Sequence, residues 1–316
     1  TNTLERPTFA LDGTSLSENP DQGTKQKAEM NDDAIGNRKL DHIDLALNDG
    51  VKTRPDAGWD GVRLVPAALP GIDIDDVDLS LEFLDFQLAA PLFIAGMTGG
   101  HADVEVVNAR LATAAEACGV ALGVGSQRAA LGDPELVQSY AVTRQKAPNA
   151  FICGNIGISQ IVDPVCGIDT LKRLIDMVEA NALAVHINVL QELIQPEGEI
   201  ELSRAWSSLE ETVKAAPVPV IVKETGCGVD GVTAKRLAEI GVAAVDTGGT
   251  GGTSFVRIEG VRAGRAGEEK GARLADTFAN WGLSTVQSLL EVRDAGIPVI
   301  ATGGVANGLH AAKALA

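Results

Sequence analysis

From Pro91 onward the chain repeats one pattern: a short unbroken apolar run, a polar turn rich in glycine, then a stretch with helical spacing. The apolar runs are Leu92–Ala95, Val120–Val124, Phe151–Cys153, Ala182–Asn188, Pro219–Val222, Val242–Val245 and Pro298–Ala301. Uninterrupted runs of this length are expected of strands buried on both faces of a parallel sheet. Between them the spacing predicts helices over 103–117, 134–146, 169–180, 231–240 and 283–295, and a last one running to Ala316. Residues 59–90 alternate short apolar pieces with Pro and Gly. Val62–Pro66 and Leu79–Leu84 there read as strands or a hairpin closing the bottom of a barrel. Residues 257–277, rich in Arg, Glu and Gly, read as a long polar loop.

Seven strand–helix units in succession imply a parallel sheet, and one repeating pattern favours a (β/α)8 TIM barrel over an open sheet. An eighth strand is expected beyond residue 316, because a barrel short of one strand has two open edges. Residues 1–36 are polar and poor in apolar positions and read as a flexible extension, leaving 37–316 as one barrel domain.

Composition narrows the chemistry. The formal net charge of −17 shows no basic footprint for nucleic acid. No apolar run approaches a membrane span. The four cysteines have neither disulfide-framework nor zinc spacing, so a reducing, cytoplasmic setting is expected. An acidic chain that binds an anionic ligand must do so through local Arg, Lys, backbone N–H groups or a metal.

The strand ends carry those groups. The fourth run leads from His186 through Asn188 to Gln191 and Glu192, a polar cluster at the carboxyl end of a strand, where barrels place their chemistry. Lys223 ends the fifth run, and a lysine in a barrel mouth needs an anionic partner. A flavin fits, since a cation near its N1–C2=O edge stabilises the reduced ring. A Schiff-base lysine of the aldolase kind is the rival. Met97, Thr98, Ser126 and Asn155 at neighbouring strand ends favour the flavin. Glycine loops from Gly248 to Thr253 and from Thr302 to Gly304 follow the sixth and seventh strands, where barrels often bind phosphate.

Taken together, Arg38-Lys39-Leu40-Asp41-His42-Ile43, Met97-Thr98-Gly99-Gly100, Gly125-Ser126-Gln127-Arg128, Gly154-Asn155-Ile156-Gly157, His186-x-Asn188-x-x-Gln191-Glu192, Lys223-Glu224, Gly251-Gly252-Thr253 and Phe278-x-x-Trp281-Gly282 occur in the order seen in the type 2 isopentenyl-diphosphate isomerases. The chain resembles that family over residues 37–316. The resemblance implies an FMN barrel that interconverts isopentenyl and dimethylallyl diphosphate, using reduced flavin, Mg²⁺ and NADPH as reductant, and assembled as a homo-tetramer or homo-octamer. It implies FMN contacts at Met97, Thr98, Ser126, Asn155, Lys223, Gly248, Thr253, Gly303 and Gly304. Diphosphate contacts are implied at Arg38, Lys39, His42, Ser126, Gln127 and Arg128. His186, Asn188 and Gln191 match substrate-site residues and Glu192 the Mg²⁺ ligand.

Three positions depart from the family pattern: Ala306 where an Arg is usual, His310 where an Asp is common, and Gly248 where a Ser is often found. Double-bond migration has no net redox, and Gln191, an amide, is a poor base, so flavin N5 is the expected proton carrier. The runner-up is an FMN oxidoreductase of the 2-hydroxy-acid oxidase type. That reading needs a histidine base after the sixth strand, and residues 257–277 contain none. A catalytically silent phosphate-binding barrel is the third reading, disfavoured by the cluster from His186 to Glu192.

Overall fold

Each of the seven apolar runs is a strand in the computed structural model, which describes residues 39–47, 51, 56–195, 198 and 201–316. The strands are β3 (Phe93–Ile94), β4 (Ala121–Gly123), β5 (Ile152–Gly157), β6 (Ala182–Ile187), β7 (Val220–Glu224), β8 (Ala244–Asp246) and β9 (Val299–Ile300). They form one sheet in sequence order, and every pairing is parallel. The sheet is curled, because Phe93 and Ile300, on its first and last strands, pack against the same inner cluster. The protein is therefore an α/β barrel of the (β/α)8 type.

Alternation along the strands explains its layers. Ala121, Cys153, Ala184, Ile221 and Ala244 point inward as a plug of small and branched side chains. Val185, Val222 and Val245 point outward under the helices. Two residues beyond the plug on the same inner faces come Asn155, His186, Lys223 and Asp246, so the barrel core ends upward in a polar layer. Below, β1 (Leu81–Phe83) and β2 (Phe86–Leu88) form the antiparallel hairpin expected at the barrel bottom. Phe83, Phe86 and Phe93 each set an edge against the Phe151 ring at 5.5, 5.6 and 6.3 Å. Val62–Pro66 forms no strand.

The outer helices include α2 (Glu105–Cys118), α4 (Gln138–Lys146), α6 (Ile168–Val178), α8 (Ala205–Ala215), α9 (Gly231–Glu239), α12 (Thr285–Val292) and α13 (Gly308–Leu315). Their starts are written in side chains. Asp230 accepts from the Val232 and Thr233 amides, and Ser284 with Gln287 makes a capping box. Three short helices follow their strands directly at the mouth: α3 (Arg128–Gly132), α5 (Ile158–Val162) and α7 (Val189–Ile194). A further helix, α1, covers residues 39–46.

The stretch 257–277 corrects the sequence reading. It is helical for most of its length, as α10 (Phe255–Arg265) and α11 (Glu269–Thr277) packed on each other. Its polar composition hid a face made of Val256, Ile258, Glu259 and Ala263. The extension proposed for residues 1–36 lies outside the described residues. None of the described helices is long and apolar enough to cross a membrane.

Candidate active site

The polar top layer opens into a cavity of about 220 Å³ at the carboxyl ends of the strands. Met97, Ser126, Asn155, Lys223, Gly248, Gly249, Gly252, Thr253, Gly303 and Gly304 line it together with Lys39, His42, Arg128, His186, Asn188, Gln191 and Glu192. The fold thus gathers nearly all the residues singled out in the sequence.

Asn155 ties the layer together. Its Nδ2 donates to the Val124 carbonyl at 2.9 Å, and its Oδ1 lies 2.8 Å from His186 Nδ1. The cluster after β6 is built on a helix rather than a loop. Asn188 is the residue before α7, and helical spacing then turns Gln191, Glu192 and Gln195 to the same side. Glu192 is buried, with Oε1 accepting from Asn188 Nδ2 at 2.8 Å and Oε2 from Gln195 Nε2 at 2.9 Å. The other amide oxygens, Asn188 Oδ1 and Gln195 Oε1, are buried without a hydrogen-bond partner. A carboxylate flanked by two unsatisfied oxygens suits a hard cation. Among the described residues no group of three or more His, Cys, Asp or Glu could hold a metal by protein ligands alone. A cation here needs oxygens from a ligand as well, as Mg²⁺ does on a diphosphate.

Gln191 and His42 are held by a residue the sequence did not point to. Glu259, on α10 and fully buried, has Oε1 2.8 Å from His42 Nε2 and 3.2 Å from Gln191 Nε2. Its Oε2 accepts from Arg262 at 2.6 Å. Burial alone would raise its pKa. The His42 hydrogen bond and charge, with the Arg262 guanidinium, outweigh burial and bring it down to about 2. Glu259 is therefore an anion that orients two cavity side chains.

The glycine turns that line the cavity have the features of a phosphate and ring cradle. Gly303 and Gly304 have φ of 105° and 68°, which side chains rarely adopt. A Cβ at Gly303 would run into the Gly249 carbonyl, and one at Gly304 would meet the Gly251 carbonyl at 2.6 Å. Gly226 instead has only the Thr253 carbonyl within reach, at 3.9 Å, so backbone borders open space there. Thr98 does not line the cavity, although Met97 beside it does. Its Oγ1 is buried without a partner. The strand-end loops are braced from outside: Asn108 Nδ2 donates to the Thr98 carbonyl at 3.2 Å, and the Tyr140 hydroxyl to the Ser126 carbonyl at 2.5 Å. A lysine lining the cavity and adjoining glycine turns fit FMN.

Gln127 departs from expectation. Its side chain is fully buried, donates to the Leu174 carbonyl and accepts from the Asn155 amide, both at 2.8 Å. It ties α6 to β5 and is not a diphosphate contact. Arg38 lies outside the described residues. Glu224, beside Lys223, lines the cavity and accepts the amides of Thr225, Gly226 and Cys227. Burial raises its pKa to about 7 against the pull of those amides.

No family model matches the chain. Among curated proteins it is similar to the isopentenyl-diphosphate delta-isomerase of Methanococcoides burtonii, 47% identical over 279 residues, 88% of this chain and 76% of that protein. The enzyme of the same name from Archaeoglobus fulgidus is 43% identical over 279 residues, 88% and 79% of the two chains. That of Xanthobacter autotrophicus is 43% identical over 289 residues, 90% and 83%. Among solved structures, a lactate oxidase from Pediococcus acidilactici superposes with a TM-score of 0.51 at 15% identity, covering 82% of this chain and 68% of that one. That likeness is one of fold.

Proposed function

The chain belongs to the isopentenyl-diphosphate delta-isomerases, and from that premise we propose that it works as a flavoenzyme, with FMN in its reduced form, Mg²⁺ on the substrate diphosphate and NADPH as the reductant. The observation that carries the reading is the convergence on one cavity of Lys223 and the glycine turns with Lys39, His42, Arg128 and Glu192.

The residues divide the work as follows. Lys223, Asn155, Ser126, Thr253 and the Gly303–Gly304 turn would hold FMN. Bound and reduced, FMN would supply a weak acid–base group for a reaction with no net redox change. Lys39, His42 and Arg128 neutralise the diphosphate, and charge-assisted bonds of that kind are the strong ones. Glu192, with the unpartnered Asn188 and Gln195 oxygens beside it, would hold Mg²⁺, whose charge would help neutralise a diphosphate. Glu259 accepts from the Gln191 amide at 3.2 Å and the Gln191 oxygen accepts from Asn188 Nδ2 at 3.5 Å, which fixes the orientation of the Gln191 side chain at the cavity. Phe255 and Met97 add apolar surface to the cavity lining.

The test begins with the visible spectrum of the purified protein. Conversion of isopentenyl diphosphate is then assayed with FMN, Mg²⁺ and NADPH under anaerobic, reducing conditions. A flavin spectrum and conversion that needs the reductant are expected. Conversion that is unchanged without flavin would overturn the mechanism.

A further inference from the structure

The lysine assigned to the flavin has a buried carboxylate beside it. The β7–β8 register sets Asp246 opposite Lys223. Both point inward, since Ile221 and Ala244, two residues earlier on the same strands, belong to the inner core. Lys223 borders two spaces: the mouth cavity, and a small one of about 10 Å³ beneath it that also touches Asp246, Asn155 and Cys153. That space is about the size of one water, so no bulk solvent screens the lysine from the carboxylate. Asp246 is 4% exposed and does not line the mouth cavity. It accepts from the Gly248 amide at 3.2 Å and from the Thr302 hydroxyl, which fixes it to the turns after β8 and β9. Burial raises its pKa and Lys223 is the largest opposing influence.

We propose that Asp246 is a positioning residue that acts through Lys223, setting how much positive charge the lysine presents to bound flavin and hence the preference for reduced over oxidised FMN. The proposal rests on the flavin reading above. A carboxylate on the inner side of an ammonium group cancels part of its field. Without that charge the full ammonium faces the ring, and the reduced, anion-bearing form gains. A purely structural Asp246 would only staple the two turns, and its loss would change stability without changing the redox preference.

The experiment measures the two-electron midpoint potential of the FMN-loaded chain by dye-linked titration, in wild type, Asp246→Asn, Lys223→Met and the double variant, with thermal unfolding alongside. Asp246→Asn is expected to favour reduced over oxidised flavin by about tenfold, an upward shift of ~30 mV for a two-electron couple. The same substitution in the Lys223→Met background is expected to shift it by less than a third of that, the signature of an effect carried by the lysine. Should Asp246→Asn not fold, Thr302→Val takes its place. It removes a bond that favours the ionised carboxylate and is expected to move the potential the same way by a smaller amount. An unchanged or lowered potential, or equal shifts in both backgrounds, overturns the proposal. Failure of wild type to bind FMN overturns the flavin reading, and this inference with it.

Discussion

Replacing Glu259 by glutamine keeps the shape of the side chain and removes its charge. Three donors face the two carboxylate oxygens: His42, Gln191 and Arg262. An amide has one acceptor, so its NH₂ group must meet a donor. The carboxylate is held at about 2 instead of the usual 4.5. At 1.36 kcal/mol per pKa unit, the difference is worth about 3 kcal/mol. The value is near the lower end of the roughly 3–5 kcal/mol lost when one partner of a buried ion pair is removed. Asp41, 3.4 Å from Arg262, still offers that guanidinium an anion.

The sign follows from the direction of the shift. A depressed carboxylate stabilises the folded state fully above its unfolded pKa of about 4.5, and the contribution is lost as pH falls toward 2. Urea unfolding of wild type and Glu259→Gln from pH 7 down to pH 3 checks this. The gap should hold at about 3 kcal/mol between pH 7 and 5.5, then narrow below 4.5. At about 2 °C per kcal/mol for a chain of this size, the midpoint temperature at pH 7 should fall by about 6 °C. Equal stability at pH 7, or a gap that persists undiminished at pH 3, refutes the reasoning.

Other outcomes follow from the same geometry. Glu192→Gln should raise the Mg²⁺ concentration needed for half activation at least tenfold and leave FMN affinity unchanged; an unaltered Mg²⁺ activation curve counts against Glu192 as the ligand. Glu224 has a raised pKa, so its contribution to stability is full below about 4.5 and lost as pH rises through 7. Wild type should therefore lose stability relative to Glu224→Gln between pH 5 and 8, and parallel curves across that window would contradict it. Gly303→Ala places a Cβ at φ 105° against the Gly249 carbonyl. FMN affinity, read by fluorescence quenching, should drop at least tenfold; retention of full affinity would remove that turn from the phosphate site.

The strands were legible because burial on both faces writes them as uninterrupted apolar runs, and the site because polar residues at their ends interrupt that rule. Helices α10 and α11 were not. Their inner face includes a fully buried glutamate, and a charge at a core position breaks the apolar periodicity by which helices are read. The partner that makes Glu259 tolerable, His42, lies 217 residues away. Gln127 failed for a local reason. Its neighbours Ser126 and Arg128 line the cavity, but the backbone turns at Gln127, with φ −85° and ψ 5°, and sends the side chain to α6. The relation of Asp246 to Lys223 needed the strand register, which pairs the ends of two runs 23 residues apart.

The mouth of the barrel joins distant parts of the chain. His42 meets Glu259 across 217 residues, Trp59 donates to the Gly304 carbonyl across 245, and Lys313 donates to the Trp59 carbonyl across 254. During synthesis at about 5–20 residues per second, roughly 13 to 50 s separate the appearance of Trp59 from that of Lys313. Until Glu259, Gly304 and Lys313 appear those contacts of the early segment cannot form, while each strand from β3 onward can already pair with the one before it, and Asn155 can already meet His186. The barrel wall is thus built progressively, and the long-range contacts of the mouth are added late. A ligand held in the cavity, which Lys39 and His42 line together with Thr302 and Gly303, would distinguish chains that have made these late contacts from those that have not.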